Sequence, residues 1–220
     1  MSIAALIGRD LRLASRGGGS TLLAVAFFAT VLTLIPLGIG PVPATLHAVA
    51  GGIVMVCAAL AALLSLDELF QADFEDGSLD LLATGPLSLE TLATVKIAAH
   101  WLATGFPILV LSPLAAFAME LPGSSVVVVL EAVALATPAI SAVGAIGASL
   151  TLAAKRGGLI LPLIVLPLLT PVVIFGAGII RADLDGLANG AVLYLAAYSL
   201  AAVLLSPFAV AAGLRMNLNA

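Results

Sequence analysis

Six apolar runs, each long enough to cross a lipid bilayer, occupy most of this sequence. They are Ser20–Gly40, Thr45–Leu66, Ile97–Met119, Ser125–Leu152, Leu159–Ile180 and Leu187–Gly213. A helix rises about 1.5 Å per residue, so about 20 apolar residues traverse the hydrocarbon core. Length alone would allow one or two soluble domains. Composition does not: 62% of the 220 residues are hydrophobic and only 9% are charged, too few to cover a water-facing surface. The expectation is an all-α membrane protein of six transmembrane helices, with residues 1–220 forming a single permease-like membrane domain. Arg9, Arg12 and Arg16 precede the first run, as in a secretory leader, but that run is too long for a leader and five more follow it. It reads as a retained span.

Short breaks between runs carry turn chemistry at Gly40-Pro41-Val42-Pro43, Leu121-Pro122-Gly123 and Gly157-Gly158. The basic residues set the orientation. With the N-terminus in the cytoplasm, the inner segments hold Arg9, Arg12, Arg16, Lys96, Lys155, Arg156 and Arg215, and the outer segments hold Arg181 alone. That asymmetry predicts both termini inside, with residues 1–19 as a cytoplasmic N-terminal segment.

One polar stretch is long, residues 67–96 between spans two and three. It carries Asp67, Glu68, Asp73, Glu75, Asp76, Asp80 and Glu90, seven of the chain's 12 acidic residues. A cytoplasmic loop so acidic serves neither topology nor attraction to anionic lipid. At 100° per residue Leu66, Leu69, Phe70 and Phe74 share one helical face, while Asp67, Glu68, Gln71 and Glu75 take the other. Gly77 can end this amphipathic helix, Ser78 can cap a shorter one through Leu82, Gly85-Pro86 breaks the chain, and Ser88 caps the next helix. Asp73 projects close to the apolar stripe. It either reaches past the stripe to water, or meets a basic group in the N-terminal segment or on a partner subunit.

Nucleotide-hydrolysing, metal-hydrolase and redox chemistry have no motif here. There is no Gly-x-x-x-x-Gly-Lys-Ser/Thr loop, no His-Glu-x-x-His and no Cys-x-x-Cys. Two histidines, the single Cys57 and scattered acids make no convergent catalytic set and no metal site. No catalytic residue is expected, and no nucleic-acid partner. Active transport would draw its energy from another protein or an ion gradient.

The segment Phe74-Glu75-Asp76-Gly77-Ser78-Leu79-Asp80-Leu81-Leu82, with Gly85-Pro86-Leu87-Ser88 and Lys96, resembles the cytoplasmic signature of exporter-type (ABC-2-like) permeases. Leu69 to Gly77, Lys96-x-x-x-His100-Trp101-Leu102-x-Thr104-Gly105-x-Pro107, Thr137-Pro138-Ala139-x-Ser141, Arg156-Gly157-Gly158 and Leu166-Pro167-Leu168 are similar to the haem exporter protein B (CcmB) family of cytochrome c maturation. That resemblance covers essentially the whole chain. It implies a multi-pass permease of the bacterial inner membrane working with a CcmA-like cytoplasmic ATPase, CcmC-like and CcmD-like membrane proteins and a CcmE-like haem chaperone. A second copy of the chain is expected by the same architecture. ATP would be used only by the partner, no cofactor would be tightly bound, and haem would be a handled species. A lipid, drug or polysaccharide exporter is the alternative within this class, and a non-transporting scaffold that passes ATPase motion to a haem-handling partner is another.

Under this reading Asp67, Glu68, Phe70, Gln71, Asp73, Phe74, Glu75, Asp76, Gly77 and Asp80 form a coupling element that docks in a groove of the ATPase, with Phe70 and Phe74 as anchors. His100 and Trp101 sit near the inner end of span three, where the pair suits the headgroup belt, or His100 could ligate haem iron. His47 sits near the opposite face, with the same two readings. Glu131 falls in the outer leaflet of span four, facing a polar cavity or partner, or snorkelling to the interface. Pro138, Pro162, Pro167 and Pro171 mark kinks or breaks, and Ser141, Ala145 and Ser149 form a small-residue stripe for close packing.

Overall fold

The computed structural model describes residues 3–16, 19–152, 157–188 and 190–218, with the backbone alone at 15–16 and 157–159. The helices are α1 (Ile3–Arg16), α2 (Gly19–Ile39), α3 (Pro43–Leu66), α4 (Glu68–Glu75), α5 (Ser78–Ala83), α6 (Leu89–His100), α7 (Phe106–Leu111), α8 (Pro113–Ala118), α9 (Ser125–Thr151), α10 (Gly157–Leu184) and α11 (Ala191–Leu218). A π-turn, Trp101–Gly105, joins α6 to α7. Among the described residues, six helical stretches are long and apolar enough to span a bilayer. The protein is a multi-pass membrane protein.

Burial separates the spans. Most of the apolar stretch is buried in α3 and α9, against a minor part in α2 and α11. α3 and α9 are therefore the centre of the bundle, and the other spans face lipid with residues such as Leu37, Leu163, Leu193 and Phe208. Lipid tails are as apolar as leucine, so the bundle holds by close packing rather than by removal of hydrocarbon from water. The small-residue stripe serves that purpose: Ser141, Ala145 and Ser149 are all buried.

Four spans begin or end within a few residues of the predicted limits, but span three differs. Its helix starts at Leu89, eight residues before Ile97, because Ser88 caps it by accepting a hydrogen bond from the Thr91 amide. Lys96 consequently sits two turns inside a helix. Span six also slides, to Ala191–Leu218. The predicted proline breaks are absent from α9 and α10, which run through Pro138 and through Pro162, Pro167 and Pro171 as continuous helices. Gly157-Gly158, expected in a turn, opens α10 instead. The discontinuity lies in span three, where the Phe106 amide donates to the Trp101 carbonyl, an i to i−5 bond. Pro107, which lacks an amide hydrogen, immediately follows.

α1 and the last turns of α11 lie at the same end of the bundle. There Arg215 of α11 pairs with Glu90 of α6, and Asn217 donates to the Ser149 carbonyl at the close of α9. The connections at 40–42, 119–124 and 185–190 occupy the opposite end, where His47 meets the Glu120 carbonyl at 2.8 Å, Ser125 donates to Asp183 and Arg181 pairs with Asp185. Among described side chains, Arg9, Arg12, Lys96 and Arg215 belong to the first end and Arg181 to the second. Lys155 and Arg156 lie outside the described residues.

Candidate coupling site

The polar end is built from four pieces of chain: α1, α4, α5 and the start of α6. The amphipathic pattern of residues 66–75 folds as expected, with Leu66 and Phe70 fully buried, Leu69 and Phe74 packed on the core, and Asp67, Glu68 and Glu75 exposed. Gln71 donates to Glu75 one turn on, 2.7 Å away. Gly77 then turns the chain with φ +74, a left-handed conformation that a side chain would resist. Ser78 does not cap α5. It is the first helical residue, its amide bonded to Asp76 and its hydroxyl turned back to Asp73 at 2.9 Å.

Two residues of the expected coupling element, one of them the anchor Phe70, are buried within the chain itself. Phe70 is 1% exposed and sits in the chain's own core, and Asp73 is 5% exposed. The α4 helix lies flat on the bundle, so its apolar stripe is spent on α3 and the neighbouring spans instead of projecting outward. What remains outside is Asp67, Glu68, Glu75, Asp76, Asp80 and one large apolar side chain, Leu81, at 75% exposure.

Asp73 is the hinge of a buried charge cluster. Arg9 reaches both of its oxygens at 2.9 and 3.0 Å, and Lys96 donates to it from α6. Arg9 also pairs with Asp10 at 2.9 Å, and Lys96 stands 3.4 Å from Asp10. Asp10, Asp73 and Lys96 are each more than 90% buried. Two carboxylates and two cations thus balance in charge, joining three helices far apart in sequence. Of the two fates open to Asp73, the N-terminal segment claims it. Burial works against the Arg9 charge, yet Asp73 and then Asp10 outweigh it, and the guanidinium pKa is raised. Such a cluster adds little net stability, but removing one member leaves its partners charged in a dry site.

Deeper in the bundle, His100 is 5% exposed, inside the protein and not in a headgroup belt. Its Nε2 meets the Ser65 hydroxyl and its Nδ1 the Ser141 hydroxyl, each at 3.0 Å. Ser65 continues to Thr104 at 3.0 Å. With both ring nitrogens engaged, His100 ties α3, α6 and α9 together, and ligation of haem iron would require one of these bonds to break. Trp101 donates to Thr137 at 3.1 Å. Gly105 is needed beside it, since a Cβ there would stand 2.6 Å from the indole. Glu131 is exposed on the flank of α9, one turn from the lipid-facing Val127.

The chain as a whole is similar to known proteins. A profile of the CcmB protein family matches residues 1–217. The chain belongs to the CcmB family. It is 50% identical to heme exporter protein B of Paracoccus denitrificans over 216 residues, 98% of this chain and 99% of that protein. It is 43% identical to heme exporter protein B of Pseudomonas aeruginosa over 97% of this chain and 96% of that one. Against heme exporter protein B of Escherichia coli K12 the figure is 40%, over 96% of both chains.

Sequence reading of this family member missed two sets of residues. Arg9 counts in the sequence toward orientation and as one of several basic candidates for Asp73, and Asp10 is not singled out, although Ile3–Arg16 already carries an amphipathic helical pattern with Leu6 on its buried side. Leu81 was passed over because only the fold shows that it alone, among the large apolar residues of α4 and α5, turns outward.

Proposed function

We propose that this chain is the membrane permease of an ATP-driven heme exporter in c-type cytochrome maturation, with both termini and the 67–88 segment in the cytoplasm of a bacterium and the spans in its inner membrane. The observation that carries the proposal is the full-length family match, joined to an acidic helix pinned to three parts of the chain. A rigid handle of this kind suits a subunit that receives work from outside. A CcmA-like ATPase would supply that work, and the chain itself hydrolyses nothing. CcmC-like and CcmD-like membrane proteins, a CcmE-like chaperone and a second copy of the chain complete the expected assembly, with haem as the handled species and no tightly held cofactor.

In this reading the docking surface is the exposed side of α4 and α5. Glu75, Asp76 and Asp80 face basic groups of the ATPase, and Leu81 takes the anchoring role first assigned to Phe70 and Phe74. Phe70 and Asp73 contribute from inside by fixing the helix. Charge reversal at Glu75 and Asp76 tests it: the ATPase should no longer co-purify from mild detergent, and an intact complex would refute the docking surface. A scaffold that transmits the stroke without conducting haem is the second reading, favoured by the full engagement of the His100 ring. Haem absorbance retained by the wild-type complex and lost with His100→Ala would decide against it.

A further inference from the structure

We propose that the outward flank of α9 seats a transmembrane helix of a different protein, which brings a lysine or arginine to Glu131. The sequence isolates this residue: Glu131 is the only Asp, Glu, Lys or Arg within the six apolar runs. α9 starts at Ser125, at the end of the bundle opposite α1 and α4, and Glu131 follows six residues on, about 9 Å along the helix axis. Val129, Ala132, Val133 and Ala136 turn the other way, into the bundle, and are buried. Glu131 is exposed, as is Val127 one turn before it, at 69%. At helical spacing Val127, Glu131 and Ala134 share one line along the helix, and the small Ala134 leaves room for a neighbouring helix to come close.

An ionisable side chain inside a membrane span normally faces the bundle interior or pairs with another group, because a lone charge in hydrocarbon is costly. Glu131 does neither here. It points outward, and its carboxylate makes no hydrogen bond or ion pair with the described residues. Arg181, the basic side chain described at that end, is held by Asp185 at 2.8 Å. Charge complementarity then names the occupant. A carboxylate accepts hydrogen bonds and carries a negative charge, and a lysine or arginine answers both at once, so the pair is neutral as a unit. A second copy of this chain brings no lysine or arginine within an apolar run either, so the complementary group belongs to another protein. The inference stands apart from the heme reading, since it rests on the placement of one carboxylate in the membrane.

The test places photoreactive p-benzoylphenylalanine at Val127 of the full chain and crosslinks it in intact cell membranes. Peptide mass spectrometry then identifies the segment reached. The expected segment is a membrane-spanning helix of another protein with a lysine or arginine in the half that lies beside Glu131. Glu131→Gln should lower that crosslink at least about tenfold, and Glu131→Asp should keep most of it. Reversing both charges, Glu131→Lys together with a glutamate in place of the basic residue on the reached helix, should restore it. Co-purification of the ATPase reads the docking surface on α4 and α5 and should be the same in Glu131→Gln as in the wild type, so the two ideas fail separately. Crosslinks confined to lipid would show a side chain that snorkels to the headgroups and overturn the proposal. So would a crosslink to a second copy of this chain alone, a reached helix without a basic residue, or a yield unchanged by Glu131→Gln.

Discussion

Replacing Asp73 with alanine is the sharpest probe of the buried cluster. The substitution removes an anion that holds Arg9 and Lys96 at once and leaves two cations facing Asp10 alone. One positive charge then stays uncompensated where Lys96 is 5% exposed. Breaking a buried pair in this way costs about 3–5 kcal/mol. The loss falls on the contacts that seat α1 and α4 on α6, so it should appear as local opening. Each 1.4 kcal/mol is a factor of ten, and amide hydrogen exchange across α1 and α4 should speed up by about 10² to several 10³-fold. Exchange in the core of α9 should stay slow. The double variant Asp73→Ala with Lys96→Met supplies the internal check. It leaves Arg9 and Asp10 as a balanced pair and replaces the ammonium by an apolar side chain of similar length, so it should be less perturbed than Asp73→Ala alone. If the single variant changes exchange by less than about threefold, or if the double variant is simply the sum of the two singles, the charge-balance account of this site is wrong.

Further outcomes follow from other positions. Leu81→Asp should weaken capture of the ATPase by at least about tenfold without moving the unfolding temperature, because the side chain is exposed in the isolated chain. Gly77→Ala should cost about 1–2 kcal/mol through its φ of +74, read as a lower unfolding temperature of the complex. His100→Phe takes one partner from Ser65, which keeps Thr104, and strands the Ser141 hydroxyl, and should destabilise by about 1–3 kcal/mol, measurable by thermal unfolding in detergent. Glu131→Gln should lower cytochrome c maturation in a complementation assay if the exposed carboxylate meets a partner in the membrane. Full activity would reduce Glu131 to a snorkelling side chain.

The spans and the amphipathic handle were legible because hydrophobic length and helical period are local properties of the chain. Leu66, Leu69, Phe70 and Phe74 declared their shared face within nine residues. What they packed against was not local: Phe70 reads equally well as an anchor for another protein or for its own bundle, and only tertiary placement of α4 decides. Asp73 shows the same limit. Its partners stand 64 and 23 residues away, and no periodicity connects them. The prolines allowed a kink or a break, and only the break is excluded. A proline kinks a lone helix, yet neighbours in a membrane bundle hold α10 continuous through three of them, while the real irregularity in span three follows a tryptophan–glycine contact that the pattern of apolar residues does not reveal.

That irregularity also makes the number of residues in span three matter. The π-turn stores one extra residue, and each helical residue advances the rotation by about 100°. Deleting a single residue between Trp101 and Gly105 should heal the ladder into an ordinary α-helix. Everything before it would then swing by more than a quarter turn relative to everything after, carrying Lys96 and His100 off their partners. A length change of one, with the composition barely altered, would uncouple the charged handle from the membrane half of the protein.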